Sequence, residues 1–359
     1  MLVSLSPVNA SMTSASDSPV LTTLDYLPNG LLERTAQEIH QLLPGPTLIH
    51  LPGRRQPPLF VSVLLHGNEV TGWQAIRRLL SHYARRELPR SLSLFIGNVQ
   101  AASQGQRRLD GQPDYNRIWG PGATPEHAIA QAVIEQMQQR GTFASIDIHN
   151  NTGTNPHYAC VNHLDAPSLH LASLFGRTVL YFTRPEGVQS MAFGRFCPAV
   201  TLECGKPDHP HGTQHAYEFL EACLHLSGIP QRPVLSQDID LFHSVAIVKI
   251  PDQVSFSFGD PETLLSKGGS QTHICFPPDL DHLNFQEIPP HTRIGWTNNG
   301  FQLDVQDEQG RDVAARFFYT QDGEIRTAVP LMPGMLTLNS RIIRQDCLCY
   351  LMERYPLAS

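Results

Sequence analysis

The chain has 359 residues, 41% of them apolar and 16% charged, so most of its length is able to bury a core and wholesale disorder is excluded. A formal net charge of −7 with no basic block argues against nucleic acid as a partner, and no apolar run approaches the roughly 18 residues of a membrane span. Seven cysteines without a CxxC pair argue against a disulfide framework and for a reducing, cytoplasmic setting.

Residues 1–20 are Ser-rich and lack a basic stretch followed by a long apolar one, which predicts a flexible lead-in, not a signal peptide. From about Thr47 to Gly228 strand-like and helix-like runs alternate. "TLIHLPG" and "PPLFVSVLLHG" read as strands, and "VTGWQAIRRLLSHYARR" follows with helical spacing. "SLSLFIGNV" is a strand and "PEHAIAQAVIEQMQQR" a helix, with Pro125 in its first turn and Gly141 just past its end. "FASIDIHN", "HYACV" and "PAVTLECG" are strands, and "TQHAYEFLEACLHLSG" is a helix. The alternation predicts an α/β domain over residues 21–235, with a mixed, largely parallel sheet flanked by helices. Beyond the Pro-rich "GIPQRPVLSQ" the runs shorten: "VLSQDIDLFHSVAIVKI", "GFQLDVQDEQG", "VAARFFYTQDG" and "GMLTLNS" predict hairpins of a smaller β-rich domain over residues 236–359.

Chemically capable side chains gather at the ends of the α/β strands. The second run ends on His66 and Glu69, "FASIDIHN" on His149 and "PAVTLECG" on Glu203. The loop after "SLSLFIGNV" carries Arg107, Arg108, Asp110, Asp114, Asn116 and Arg117. Open α/β sheets bind ligands beyond the carboxyl ends of their strands, so these groups are expected to converge on one crevice. Two histidines and a glutamate with an open fourth position make a ligand set for catalytic zinc, which acidifies water. A separate carboxylate must then take the proton, and Glu203 is free to do so. Arginine suits both a developing oxyanion and an anionic substrate. Singly, each group has a plainer reading: a polar loop, a strand-end histidine beside Asp147, a carboxylate accepting backbone hydrogen bonds, a surface ion pair. Their shared position at strand ends favours one site. Gly67 is read as letting the chain bend tightly between His66 and Glu69.

"LLHGNEVTG", "DYNRIW", "IDIHNNTG" and "VTLECGKPDHPHG" together resemble the motifs of the succinylglutamate desuccinylase/aspartoacylase family, within the zinc carboxypeptidase superfamily. The likeness covers about Pro58 to Gly212, and the β-rich tail agrees in kind. It implies a zinc-carboxypeptidase-like catalytic domain with one zinc per chain held by His66, Glu69 and His149. It makes Glu203 the general base and then acid, gives Asn116 and Arg117 the substrate's carboxylate, and makes Arg108 the best match for the arginine that polarises the scissile carbonyl. Arg108 needs a spacing one residue longer than the family's, so Arg107 stays open. Arg195 is an off-register candidate for a further arginine before the glutamate. The family's C-terminal tyrosine has no matching position, Tyr319 being the residue considered. "HPHGTQH", His209 to His215, is read as a polar loop, Cys204 as a packed thiol, and Asp147 as either a partner of His149 or a strand cap.

The resulting expectation is a cytoplasmic zinc-dependent hydrolase that cleaves the amide bond of a small N-acyl amino acid. Its partner is a small molecule bearing a carboxylate, with neither nucleic acid nor membrane involved and a homo-oligomer left open. The alternatives are a metallocarboxypeptidase acting on peptide C-termini and a zinc-bound, non-catalytic binding module.

Overall fold

In a computed structural model, residues 20–261, 272–298 and 300–357 are described. Strands β1 (Thr22–Leu24), β2 (Thr47–Leu51), β3 (Leu59–Val63), β4 (Leu92–Ile96) and β5 (Ala144–His149) come first. They are followed by β6 (Tyr158–Val161), β7 (Thr178–Tyr181), β8 (Ala199–Glu203) and β9 (Asp240–Lys249). The second half adds β10 (Phe256–Phe258), β11 (Ile274–Phe276), β12 (Arg293–Thr297) and β13 (Asp304–Asp307). It ends with β14 (Phe318–Gln321), β15 (Glu324–Thr327), β16 (Met332–Gly334) and β17 (Cys349–Arg354).

Among the described residues, twelve strands form one sheet in the order β1-β2-β4-β3-β5-β8-β6-β7-β9-β17-β16, with β13 also paired to β9. Its centre, β4-β3-β5-β8, is parallel throughout. Every residue of these four strands is buried. Helices cover both faces, so both sides of each strand must be apolar, and the strands read as continuous hydrophobic runs. Leu59, Val61 and Val63 of β3 pack on one side with helices α1 (Thr71–His82) and α6 (Pro210–His225). Phe60 points to the other side, into a cluster with Ile129, Val133 and Met137 of α3 (Pro125–Arg140). Shorter helices intervene: α2 (Val99–Ser103), α4 (Ala166–Phe175) and α5 (Gln189–Phe193). As the spacing predicts, α3 has Pro125 in its first turn and is capped by Gly141 at φ +68°.

The five remaining strands form a smaller sheet, β10-β11-β12-β15-β14. The apolar core changes between residues 241 and 246, where one cluster ends at Leu241 and another starts at Ala246. The large sheet does not break there, because β9 pairs in parallel with β7 and antiparallel with β17. Two tail segments differ from expectation. "VAARFFYTQDG" begins with a helical turn, Ala314–Phe317, before β14. "GMLTLNS" is not a strand. β16 stops at Gly334, and the Asn339 side chain accepts from the backbone N–H of Arg341 and Ile342, starting a helix at Ser340–Gln345. Asparagine at that position satisfies helix N–H groups that otherwise lack partners, and this outweighs the alternating pattern.

Candidate metal centre

β3 ends at Val63, and the chain turns through Leu64 and His66 to Glu69 before α1 begins. The requirement for glycine at position 67 is steric. A Cβ there would lie 2.2 Å from the backbone nitrogen of Ala102 in α2, so the turn packs directly on that helix. Gly67 is not among the residues with positive φ, so close approach, rather than the bend inferred from sequence, is what demands it. Its N–H donates to the Arg107 carbonyl at 3.1 Å and ties the arginine loop to the turn.

His66, Glu69 and His149 come together here, each buried, with one donor atom apiece all within 4.8 Å of one another. The Nδ1 atoms of His66 and His149 lie 2.8 and 2.7 Å from the two Glu69 oxygens. The opposite nitrogens face carboxylates: His66 Nε2 is 2.9 Å from Asp114 Oδ1, and His149 Nε2 is 2.7 Å from Asp147 Oδ2. Ser62 donates to the other Asp147 oxygen at 2.7 Å. Asp147 is thus a partner of His149. A ring nitrogen turned inward with its twin on a carboxylate is how metal-binding histidines are oriented.

The electrostatics fit a cation. Burial opposes charge on His149, yet Asp147 and Glu69 outweigh it and hold the imidazole well above its usual range. His66 is raised as well: burial and Arg107 pull it down, and Glu69 and Asp114 prevail. Burial would raise the Glu69 carboxyl, but the two histidines hold it low. The cluster therefore draws in positive charge, and two nitrogens and one carboxylate oxygen suit zinc, which would occupy the place of those protons.

Glu203 arrives by register. β5 and β8 run parallel with His149 opposite Glu203, so the carboxylate stands beside the donor trio. Burial pushes it up to about 7, against the pull of His149. Asn150 donates to Thr71 Oγ1 and the Gly205 carbonyl, and its backbone N–H donates to Glu69 at 3.1 Å, which fastens three turns together. Asn151 Nδ2 donates to Glu203 Oε2 at 2.6 Å.

Arg107, not Arg108, lines the cavity. Arg107 Nη1 is 3.4 Å from Glu69 Oε1, and its Nη2 is 3.0 Å from Asp114 Oδ2. Arg108 turns away and donates to the Gln112 carbonyl at 2.7 Å. Of the two arginines considered, the structure places the guanidinium of Arg107 beside the donor trio. Asn116 and Arg117 also line the cavity. Asn116 is fixed by the Gln189 N–H on its Oδ1 at 3.0 Å and lies 3.3 Å from His149 Nε2.

Residues 55–227 match the model of the succinylglutamate desuccinylase/aspartoacylase catalytic domain. That stretch is similar to the family's catalytic domain. Among solved structures, the chain is similar to succinylglutamate desuccinylase from Chromobacterium violaceum at 19% identity, covering 89% of this chain and 91% of that one with a TM-score of 0.55. It is similar to the ectoine utilization protein EutE from Ruegeria pomeroyi, seen with product bound, at 14% identity, 85% and 88% coverage and a TM-score of 0.53. Murine aminoacylase 3 gives 16% identity, 84% and 97% coverage and a TM-score of 0.50. No curated protein matches by sequence. The fold is that of these desuccinylase and aminoacylase structures, and no helix among the described residues is long and apolar enough to cross a membrane.

The C-terminal segment walls the cavity with Met335, Thr337, Ile342, Asp346 and Tyr350. Tyr319 is elsewhere, in β14 of the smaller sheet, with its hydroxyl 2.9 Å from His291 Nδ1. Arg195 is exposed and does not line the cavity, whereas Arg184 does. Cys204 is fully buried and does not line the cavity either, and burial holds its thiol well above the usual range. In the "HPHGTQH" stretch, His209 precedes the first turn of α6, and His215 Nδ1 lies 2.9 Å from His157 Nδ1.

Proposed function

We propose that this chain is a zinc-dependent hydrolase of the amide bond in a small N-acyl amino acid. The observation that carries the reading is the pairing of Glu203 with His149 across β8 and β5, beside the buried trio of donors. His66, Glu69 and His149 would hold one zinc per chain, which when bound supplies Lewis acidity to the substrate carbonyl and to water. Asn151 holds one oxygen of Glu203 and leaves the other to take a proton from the attacking water and pass it to the leaving amine. Arg107 takes the task of polarising the scissile carbonyl that the family resemblance gave to Arg108, because of the two it is the one that lines the cavity. Asn116 holds its place through Gln189, and with Arg117 it reads the substrate's carboxylate.

The wall that the C-terminal segment adds to the cavity supports a small substrate over a peptide. A screen of N-acyl amino acids against peptides, scored by released amine, tests the reading. Release from at least one small N-acyl amino acid is expected. Release from peptides alone would make the protein a carboxypeptidase, and no release from metal-loaded protein would make it a binding module.

A further inference from the structure

Asp346 sits at the end of the Ser340–Gln345 helix, and its N–H donates to the Ile342 carbonyl at 2.9 Å. Its carboxylate divides between two guanidiniums: Oδ2 is 3.2 Å from Arg107 Nη2, and Oδ1 is 3.5 Å from Arg117 Nη2. Each oxygen faces a different arginine, the way a carboxylate ligand would lie if it bridged the pair. Arg107 has other anions, Glu69 and Asp114. Among the described residues, Arg117 Nη1 donates to the Asn116 carbonyl at 2.8 Å, and Asp346 is the carboxylate in direct contact with this arginine. The Asp346 side chain keeps 22% of its surface exposed and lines the cavity, so an incoming ligand can reach it.

We infer that Asp346 competes with a ligand's carboxylate for Arg107 and Arg117, and so sets how strongly the site favours carboxylate-bearing molecules. The inference rests on the carboxylate-reading role proposed for Arg117. With Asp346 in place, an entering carboxylate only replaces one anion with another at the same guanidiniums, and meets a like charge as it does so. Without Asp346 the ligand's charge gains the full attraction. If Asp346 served only to hold the arginines in place, its loss would weaken charged and uncharged ligands alike.

The test uses N-acetylalanine and N-acetylalaninamide, which differ in the carboxylate. Binding is measured by calorimetry in a Glu203→Gln background that suppresses turnover. In that background with Asp346 intact, N-acetylalanine should be preferred by less than about tenfold, and Asp346→Asn should tighten it by at least about tenfold further while moving the amide less than about twofold. Asp346→Glu, which keeps the charge, should restore the smaller preference. Equal shifts for both ligands, no shift, or no binding by either would overturn the inference. Should Asp346→Asn and Asp346→Ser both fail to fold, the protein with Asp346 intact still decides the matter, because a preference for N-acetylalanine above about tenfold there contradicts an internal competitor. Selective tightening with no hydrolysis of any N-acyl amino acid would uphold the competition while refuting the proposed reaction.

Discussion

Glu203→Gln is expected to lower kcat by at least about a hundredfold while leaving metal content and substrate affinity in place, because general acid–base catalysis contributes about 10²–10⁴-fold. Glutamine keeps the shape and still bonds the Asn151 side chain, but it cannot take a proton. The residue is well placed for this test. It closes β8 opposite His149, it is buried, and it is not one of the three donors gathered within 4.8 Å. The substitution also removes a buried acid whose pKa burial has raised, so the fold has no evident reason to object. A change confined to KM would point to a binding role, and an unchanged kcat would make Glu203 structural.

Arg107→Ala should cost about 10²–10³ in kcat, the scale on which oxyanion-stabilising donors act, whereas Arg108→Ala should leave turnover nearly unchanged. Arg107 faces Glu69 beside the inward-turned histidine nitrogens, and Arg108 spends its guanidinium on the Gln112 carbonyl. Arg107→Ala also strips Asp114 and Asp346 of a buried cation, so loss of stability has to be separated from loss of chemistry. Arg107→Lys does this. It keeps a charge near both carboxylates but loses the planar fork, so it should fold normally and still turn over slowly. Steady-state kinetics on the three variants, with urea unfolding as a control, decide the assignment. If Arg108→Ala is the damaging change, the carbonyl-polarising role belongs to Arg108 after all.

The parts of the site that were legible in sequence are those carried by strand ends. His66, His149 and Glu203 follow fully buried runs, β3, β5 and β8, and adjacent parallel strands deliver their carboxyl ends to one edge whatever the loops do. Even the roles of Asn150 and Asn151 had a signal, in the doubled asparagine after His149. The arginine was not legible, because the loop from Gln104 to Asn116 is built of turns, and its path alone chooses which of two neighbouring guanidiniums enters the cavity. Asp346 lies 229 residues from Arg117 and Tyr350 lies in β17, so no spacing connects them to the motifs. Their approach depends on β9 carrying the large sheet across residue 235, which composition alone presented as a division. The helix that delivers Asp346 was itself hidden, since "LTLN" alternates like a strand while Asn339 caps a helix.

Elemental analysis of purified protein decides whether His66, Glu69 and His149 form a metal centre. The wild type is expected to carry about one zinc per chain and His149→Ala to lose most of it, with the large α/β core still folded. A His149→Ala protein that keeps a full equivalent of zinc would contradict that assignment.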